Sequence, residues 1–206
     1  MRDDRINKVW EVLIDAFFML SVPVTQKVYK SVIKDNPSSF LGDDLPVESI
    51  SWHGAVSFCN SLSSQMGLSP YYIIDDRIGV TGLNSIAEGF RLPSEAEWQH
   101  ACQAGDNSIR YGEIDEIAWY KENSKGSTQV VGKKLPNAWG MFDMLGNVWE
   151  WCSDIYDEKV YGTYRVFRGG GWSDDKRSVM ATNRRRSHPE SFKIDDLGFR
   201  IARNIS

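Results

Sequence analysis

Apolar positions along the chain switch between two periods, and the switches predict short strands joined to short helices. Residues 9–20, VWEVLIDAFFML, are rich in β-branched and aromatic side chains and predict one strand, bent near Asp15, that Pro23 ends. The period then changes. Val28, Tyr29, Val32 and Ile33 share a helical face behind a capping Thr25, and the polar turn Asp35-Asn36-Pro37-Ser38-Ser39 ends that helix. Ser51 caps a second helix whose inward stripe is Ala55, Val56, Phe58, Cys59, Leu62 and Met66, with Gly67 just beyond its end. His53, in its first turn, reads as a surface residue rather than a ligand.

Tyr71 to Ile74 predicts a short strand, and residues 75–88 a connecting loop. Ser94 with Glu97 forms a capping box that starts a helix running to about Ala104, with Trp98, Ala101 and Cys102 facing inward. Glu95 and Glu97 resemble a catalytic acid pair, but the cap accounts for Glu97 and the helix N-terminus favours Glu95. Residues 105–126 are irregular around Ile117-Ala118-Trp119-Tyr120. Gln129 to Gly132, Tyr164 to Arg168 and Leu197 to Ala202 predict further strands. The expected fold class is α+β, a single domain over 1–206 with short twisted strands, two to three helices and long loops.

The densest run is residues 140–154, GMFDMLGNVWEWCSD. Phe142, Met144, Trp149 and Trp151 are too apolar for a surface loop, while Asp143, Asn147 and Glu150 are too polar for a plain core strand. The run predicts a tight turn around Leu145-Gly146-Asn147 entering a buried strand at Val148 to Cys152. Asp143 and Glu150 flank that turn, and two readings stay open. With turn carbonyls between them they offer oxygen ligands to a hard cation such as calcium; alternatively Asp143 caps the turn and Glu150 meets a core arginine.

Composition narrows the classes. The chain has 206 residues with 41% hydrophobic and 25% charged side chains, enough for one sizeable core. Eight Trp, eight Tyr and nine Phe beside 17 Gly suit a loop-rich fold built on large rings. A formal net charge of −4 does not point to nucleic acid. Cys59, Cys102 and Cys152 are far apart and show no zinc-ligand spacing; an odd count fits a reducing compartment. No stretch is long enough to span a membrane and the first 20 residues lack secretory-signal character, so the expected location is cytoplasmic. The run Arg168-Gly169-Gly170-Gly171-Trp172 has no following Lys-Ser/Thr and no helix start, so it is not a phosphate loop; it brings backbone close to something bulky.

Several of these stretches together resemble the formylglycine-generating-enzyme, or sulfatase-modifying factor, family. GMFDMLGNVWEWCSD is similar to its G-L-Y-D-M-x-G-N-V-W-E-W signature, Arg91-Leu92-Pro93-Ser94-Glu95-Ala96-Glu97-Trp98 to its R-L-P-T-E-A-E-W, and residues 46–59 to its P-V-x-x-V-S-W-x-x-A-x-x-Y-C. R-G-G-x-W at Arg168 and x-G-F-R at Leu197 follow in the family's order. The resemblance covers about Val9 to Arg203 and lacks the family's usual opening strand. It implies a C-type-lectin-like fold and a structural calcium held by Asp143, the carbonyls of Gly146 and Val148, and Glu150. A second calcium site of the family has no convincing set of acids here. Cys59 and Cys102 match positions that form disulfides in some secreted members, but their expected partners fall near Ile201 and Arg184, so both are expected free and buried.

The resemblance also implies what is missing. Oxidase members hold copper(I) with two cysteines just after R-G-G-x-W, soft thiolates being the ligands that select Cu(I). Those positions here are Asp174 and Val179, so copper is not expected. Between Trp172 and Asp196 the chain reads WSDDKRSVMATNRRRSHPESFKIDD. It is either a solvated, charge-mixed loop with some arginines buried in ion pairs, or a recognition surface. In the family's fold this region lines the open face, which bacterial and phage members use for ligands and some diversify through retroelements. The expected binding residues are Trp172, Asp174, Asp175, Arg177, Arg185, His188 and Phe192, and the expected partner is a protein or small ligand. The alternatives are a metal-dependent oxidoreductase of the broader family and a retroelement-diversified variable receptor.

Overall fold

A computed structural model describes residues 1–3, 8–75, 77 and 79–205. The strands are β1 (Arg2–Asp3), β2 (Lys8–Val9), β3 (Phe17–Met19), β4 (Tyr72–Asp75), β5 (Gly79–Leu83), β6 (Phe90–Arg91), β7 (Trp149–Ile155), β8 (Arg165–Arg168), β9 (Arg184–Ser187), β10 (Leu197–Gly198) and β11 (Ala202–Asn204). The helices are α1 (Gln26–Ile33), α2 (Trp52–Gln65), α3 (Glu95–Gln103) and the single turns α4 (Ile114–Ile117) and α5 (Glu158–Tyr161). The mixture is α+β, as the alternating periods predict.

β7 is the element around which the rest packs. It lies inside a four-stranded sheet of order β10-β7-β8-β9, parallel to β10 and antiparallel to β8. Its side chains alternate between two cores. Trp149 and Trp151 enter a cluster with Trp52, Phe58, Phe167 and Phe199. Cys152 enters a second cluster with Trp98, Cys102, Met144 and Val166. Each large ring removes about 150–250 Å² from water, and the indole donors are not stranded. Trp52 Nε1 donates to the Cys152 carbonyl at 2.8 Å and Trp151 Nε1 to that of Ile50 at 3.0 Å. These two bonds tie α2 to β7 across about 100 residues of sequence. A second sheet, β3-β11-β6, brings the early and late parts of the chain together.

The helix signals in the sequence are realised at their starts. Thr25, Ser51 and Ser94 each accept a first-turn N–H, and Ser94 with Glu97 makes both bonds of the capping box. Some faces differ. Val28 and Met66, both expected in the inward stripes, are 39% and 63% exposed. Gln26 is buried in Val28's stead, its amide bonded to the carbonyls of Phe40 and Pro46 and to Asn36. α1 stops at a left-handed Lys34, φ 60°, before the polar turn.

The strand expected over residues 9–20 is shorter, limited to Lys8–Val9 and Phe17–Met19, because only Phe17–Met19 finds a partner in β11. The loop expected over residues 75–88 contains β5, which pairs with β4. No strand forms at 129–132. Those backbone groups bond instead to side chains and to a distant loop: Gln129 N–H to Asn147, Val131 N–H to the Asp44 carbonyl and Gly132 N–H to Asp143. Cys59, Cys102 and Cys152 are free and buried. Among the described residues no helix is long and apolar enough to cross a membrane.

Candidate functional site

The turn before β7 uses three left-handed residues, Asp143 (φ 50°), Gly146 (φ 78°) and Asn147 (φ 62°). Gly146 is required for space as well as conformation, since a Cβ there would lie 2.4 Å from the Trp119 carbonyl oxygen. Asn147 then bridges backwards: its amide exchanges hydrogen bonds with the Gln129 backbone at 2.9 Å on each side. The turn delivers Glu150 to the interior, where it is fully buried.

Glu150 meets an arginine in the core. Arg200 reaches it with Nη2 to Oε1 and Nε to Oε2, both at 2.7 Å, and Trp98 Nε1 donates to Oε2 at 2.6 Å. Burial pulls the Arg200 guanidinium down, but the Glu150 carboxylate outweighs it and holds the group above its ordinary value. Asp143 is less well supplied. Its Oδ2 accepts the Gly132 N–H at 2.6 Å, while its buried Oδ1 has no hydrogen-bond donor. Burial pushes its carboxyl up to about 6, against the lowering by Gly132 and Arg200.

These features bear on calcium. Asp143 Oδ1 is a buried, unsatisfied, acceptor-only oxygen, and Glu150 Oε1 has one donor, leaving a lone pair. Both suit a hard cation completed by backbone carbonyls. Among the described residues no three His, Cys, Asp or Glu side chains gather as a metal site, so such a cation depends on the turn carbonyls.

The glycine run packs against side chains rather than against β7 alone. Cβ atoms at Gly170 and Gly171 would lie 2.9 Å from a Val179 methyl and 2.8 Å from Asp196 Cβ. This tight approach sets the two positions that follow. Asp174 is 8% exposed and points inward. Its Oδ2 accepts Trp149 Nε1 at 2.5 Å and the Gly171 N–H at 2.9 Å, and its Oδ1 takes Arg185 Nη2 at 3.0 Å. Val179 is fully buried in the second core. Asp196 is held by Ser173 Oγ at 2.7 Å and burial raises its carboxyl pKa.

The binding residues predicted from sequence therefore separate. Asp174 turns inward because its carboxylate satisfies the Trp149 indole and the Gly171 amide, which would otherwise be buried unpaired, and also meets the half-buried Arg185. Phe192 is half-buried and packs against the first core, stacked on Phe167 at 5.9 Å. Arg185 is half-buried, spanning Asp174 and the face of Trp149 at 4.5 Å. Trp172 is half-buried, edge-on to Phe40 at 5.3 Å, with Nε1 on the Asp195 carbonyl. Asp175 and Arg177 are exposed, Asp175 lying 3.4 Å from Lys121. His188 sits past β9, edge-on to Tyr164 at 5.9 Å.

Sequence reasoning missed the partners. Glu95 does not serve only a helix end; Arg168 Nη1 reaches its Oε1 at 2.6 Å and Arg184 Nη2 its Oε2 at 2.7 Å. Residues 184–187 form a strand rather than a loop, paired with β8. The available signal was alternation: Arg184 and Arg186 leave one face of β9 and Arg185 the other.

The family profile described as the sulfatase-modifying factor enzyme 1-like domain matches residues 2–205. The chain is 34% identical over 224 aligned residues to the chaperone protein LppX of Paenibacillus barcinonensis, covering 91% of this chain and 78% of that protein. It is 35% identical over 164 residues to the serine/threonine-protein kinase pkn1 of Chlamydia pneumoniae, covering 70% of this chain but only 26% of the kinase. Among solved structures, Treponema denticola variable protein 1 superposes with a TM-score of 0.82 at 30% identity, over 91% of this chain and 84% of that one.

Proposed function

This chain belongs to the sulfatase-modifying factor enzyme 1-like family, with its C-type-lectin-like fold, and we propose that it recognises a protein or small ligand instead of oxidising one. One observation carries the reading: the positions where oxidase members hold copper are Asp174 and Val179, and both are consumed in packing. A carboxylate that already accepts three donors and an isopropyl group inside a core cannot act as soft ligands. The likeness to a protein named a chaperone supports a protein partner, and the likeness to one named a variable protein supports recognition.

The recognition surface is the loop that the buried Asp174 props outward, with Trp172, Asp175 and Arg177 presented to solvent beside Phe40 and Lys121. Photo-crosslinking residues placed at Asp175 and at Arg177 test this in the source cells. The expected result is a discrete adduct from both positions and none from Met66, which is 63% exposed at the C-terminal end of α2. Identical patterns from all three positions, or none from the loop, contradict the reading.

Calcium fits the same scaffold as a structural ion. Asp143, the carbonyls of Gly146 and Val148, and Glu150 would hold it, and its charge would compensate the unsatisfied Asp143 oxygen. The pH dependence has a definite sign. Asp143's folded value of about 6 exceeds its ordinary 3.8, so the protonated acid favours folding, and that contribution is lost as pH rises through about 6. In EDTA, wild type should therefore lose stability relative to Asp143→Asn between pH 5 and pH 7. Calcium at pH 7 should raise the wild-type melting midpoint and leave that of Asp143→Ala, which has no ligand oxygen there, nearly unchanged. Equal calcium shifts in both proteins would remove Asp143 from the site.

A further inference from the structure

The guanidiniums packed into this protein are almost all matched to a carboxylate. Arg91 pairs with Glu97, Arg168 and Arg184 with Glu95, Arg185 with Asp174, and Arg200 with Glu150. Two are different: Arg165 lies over the ring of Trp52 at 4.0 Å and donates to the Ser153 carbonyl, and Arg186 has no such carbonyl among the described residues. The second is the more open to a partner's charge. Among the described residues no carboxylate lies within ion-pair distance of it, and its Nε is buried without a hydrogen-bond acceptor. It is held by two rings instead, its Cζ 3.7 Å from the centroid of Tyr161 and 4.8 Å from that of Tyr156.

The neighbouring groups extend this feature into a surface. Tyr161 stacks on Tyr164 at 6.3 Å, and Tyr164 meets the edge of His188 at 5.9 Å. His188 Nδ1 accepts the N–H groups of Glu190 and Ser191 at 3.3 and 3.4 Å, which leaves the neutral ring's proton on Nε2 as a donor. Tyr164 is 36% exposed and Val160, next to Tyr161 on α5, is 65% exposed. Asp157 is committed to capping α5 through the N–H groups of Lys159 and Val160, and the exposed Glu158 and Glu190, which lie beside the cluster in sequence, form no ion pair with Arg186 among the described residues. β9 is the last strand of its sheet, so the cluster stands at the sheet's edge.

We propose that Arg186, Tyr161, Tyr164 and His188 form a docking surface for an acidic peptide segment of a partner protein. The commitment to an acidic partner follows from charge. A half-buried cation lacking its counter-charge gains most from a carboxylate, and two rings hold its planar fork before the partner arrives, which lowers the entropy lost on binding. Tyrosine and arginine around an exposed apolar side chain make the composition of an interface centre. The overall charge of −4 opposes acidic peptides elsewhere, so binding would be local to this patch and weakened by salt. The inference rests on the reading of this protein as a recognition module and names the partner class of a second surface on it.

Fluorescein-labelled octaglutamate, followed by anisotropy at low and at physiological salt, is the test. Wild type should bind saturably. Arg186→Gln should weaken binding tenfold or more, whereas Lys125→Gln, removing one exposed charge elsewhere, should change it less than twofold. Arg186→Lys keeps the charge but loses the planar fork, and should weaken binding at least threefold; it decides the matter if Arg186→Gln fails to fold. Equal weakening by Arg186→Gln and Lys125→Gln, or no wild-type binding at millimolar protein, overturns the proposal. Loop adducts at Asp175 and Arg177 alongside Arg186-independent octaglutamate binding would sink this surface and leave the wider reading standing. Arg186-dependent binding without loop adducts would do the reverse.

Discussion

Glu150→Ala is expected to destabilise the fold by about 3–5 kcal/mol, the cost of leaving one partner of a buried ion pair uncompensated. Arg200 is fully buried and receives both carboxylate oxygens of Glu150. Without them the guanidinium keeps only the carbonyls of Leu20, Phe142 and Asp143, and Trp98 Nε1 loses its acceptor. Glu150→Gln retains an acceptor and should fall between wild type and alanine. Removing both charges, with Glu150→Met and Arg200→Met together, should cost less than Glu150→Ala alone, because no unpaired charge remains. Urea unfolding reads all four proteins. A loss below about 1 kcal/mol for Glu150→Ala, with an unchanged denaturant slope, would show that the pair is not a stabilising hub.

Glu95→Ala is expected to be comparably severe, again about 3–5 kcal/mol. One carboxylate there serves two arginines, Arg168, fully buried on β8, and Arg184 on β9. Arg168 retains the Gln99 side chain and the Ala181 carbonyl, neither of which carries charge. Arg184 retains its stacking on Tyr156 at 4.6 Å. The loss should appear first at the edge of the sheet, as faster amide exchange across the β8–β9 ladder than across β7. Uniform acceleration in all four strands would mean that Glu95 supports the whole fold rather than its edge. Trp98 joins the two networks, donating to Glu150 and lying under the Arg168 guanidinium at 5.5 Å, so the two effects should depart from additivity.

How far the sequence reveals this molecule depends on whether the relevant contact is local. The caps at Thr25, Ser51 and Ser94 are legible because donor and acceptor lie three residues apart. The strand at Trp149 is legible because four consecutive residues are too apolar or too specific for a loop. β9 is not, because three successive arginines look like a solvated run. They form a strand only because Glu95, 89 residues earlier, and Asp174 neutralise two of them and tyrosine rings carry the third. Asp174 shows the same limit: a charged residue after a glycine run reads as surface. Only the structure places the Trp149 indole and the Gly171 amide around it. Both readings of Glu150 began from one short stretch, and the arginine that meets it stands 50 residues away.

We propose that the family's scaffold is kept here around two positions, Asp174 and Val179, that do not hold copper. The most direct measurement is to incubate the purified chain, loaded with copper(I) under oxygen, with a cysteine-containing peptide and to follow its mass. The peptide should be recovered without an aldehyde, with turnover no greater than for copper and peptide alone. Conversion of the cysteine to formylglycine by this chain, abolished by substituting Asp174, would contradict the proposal.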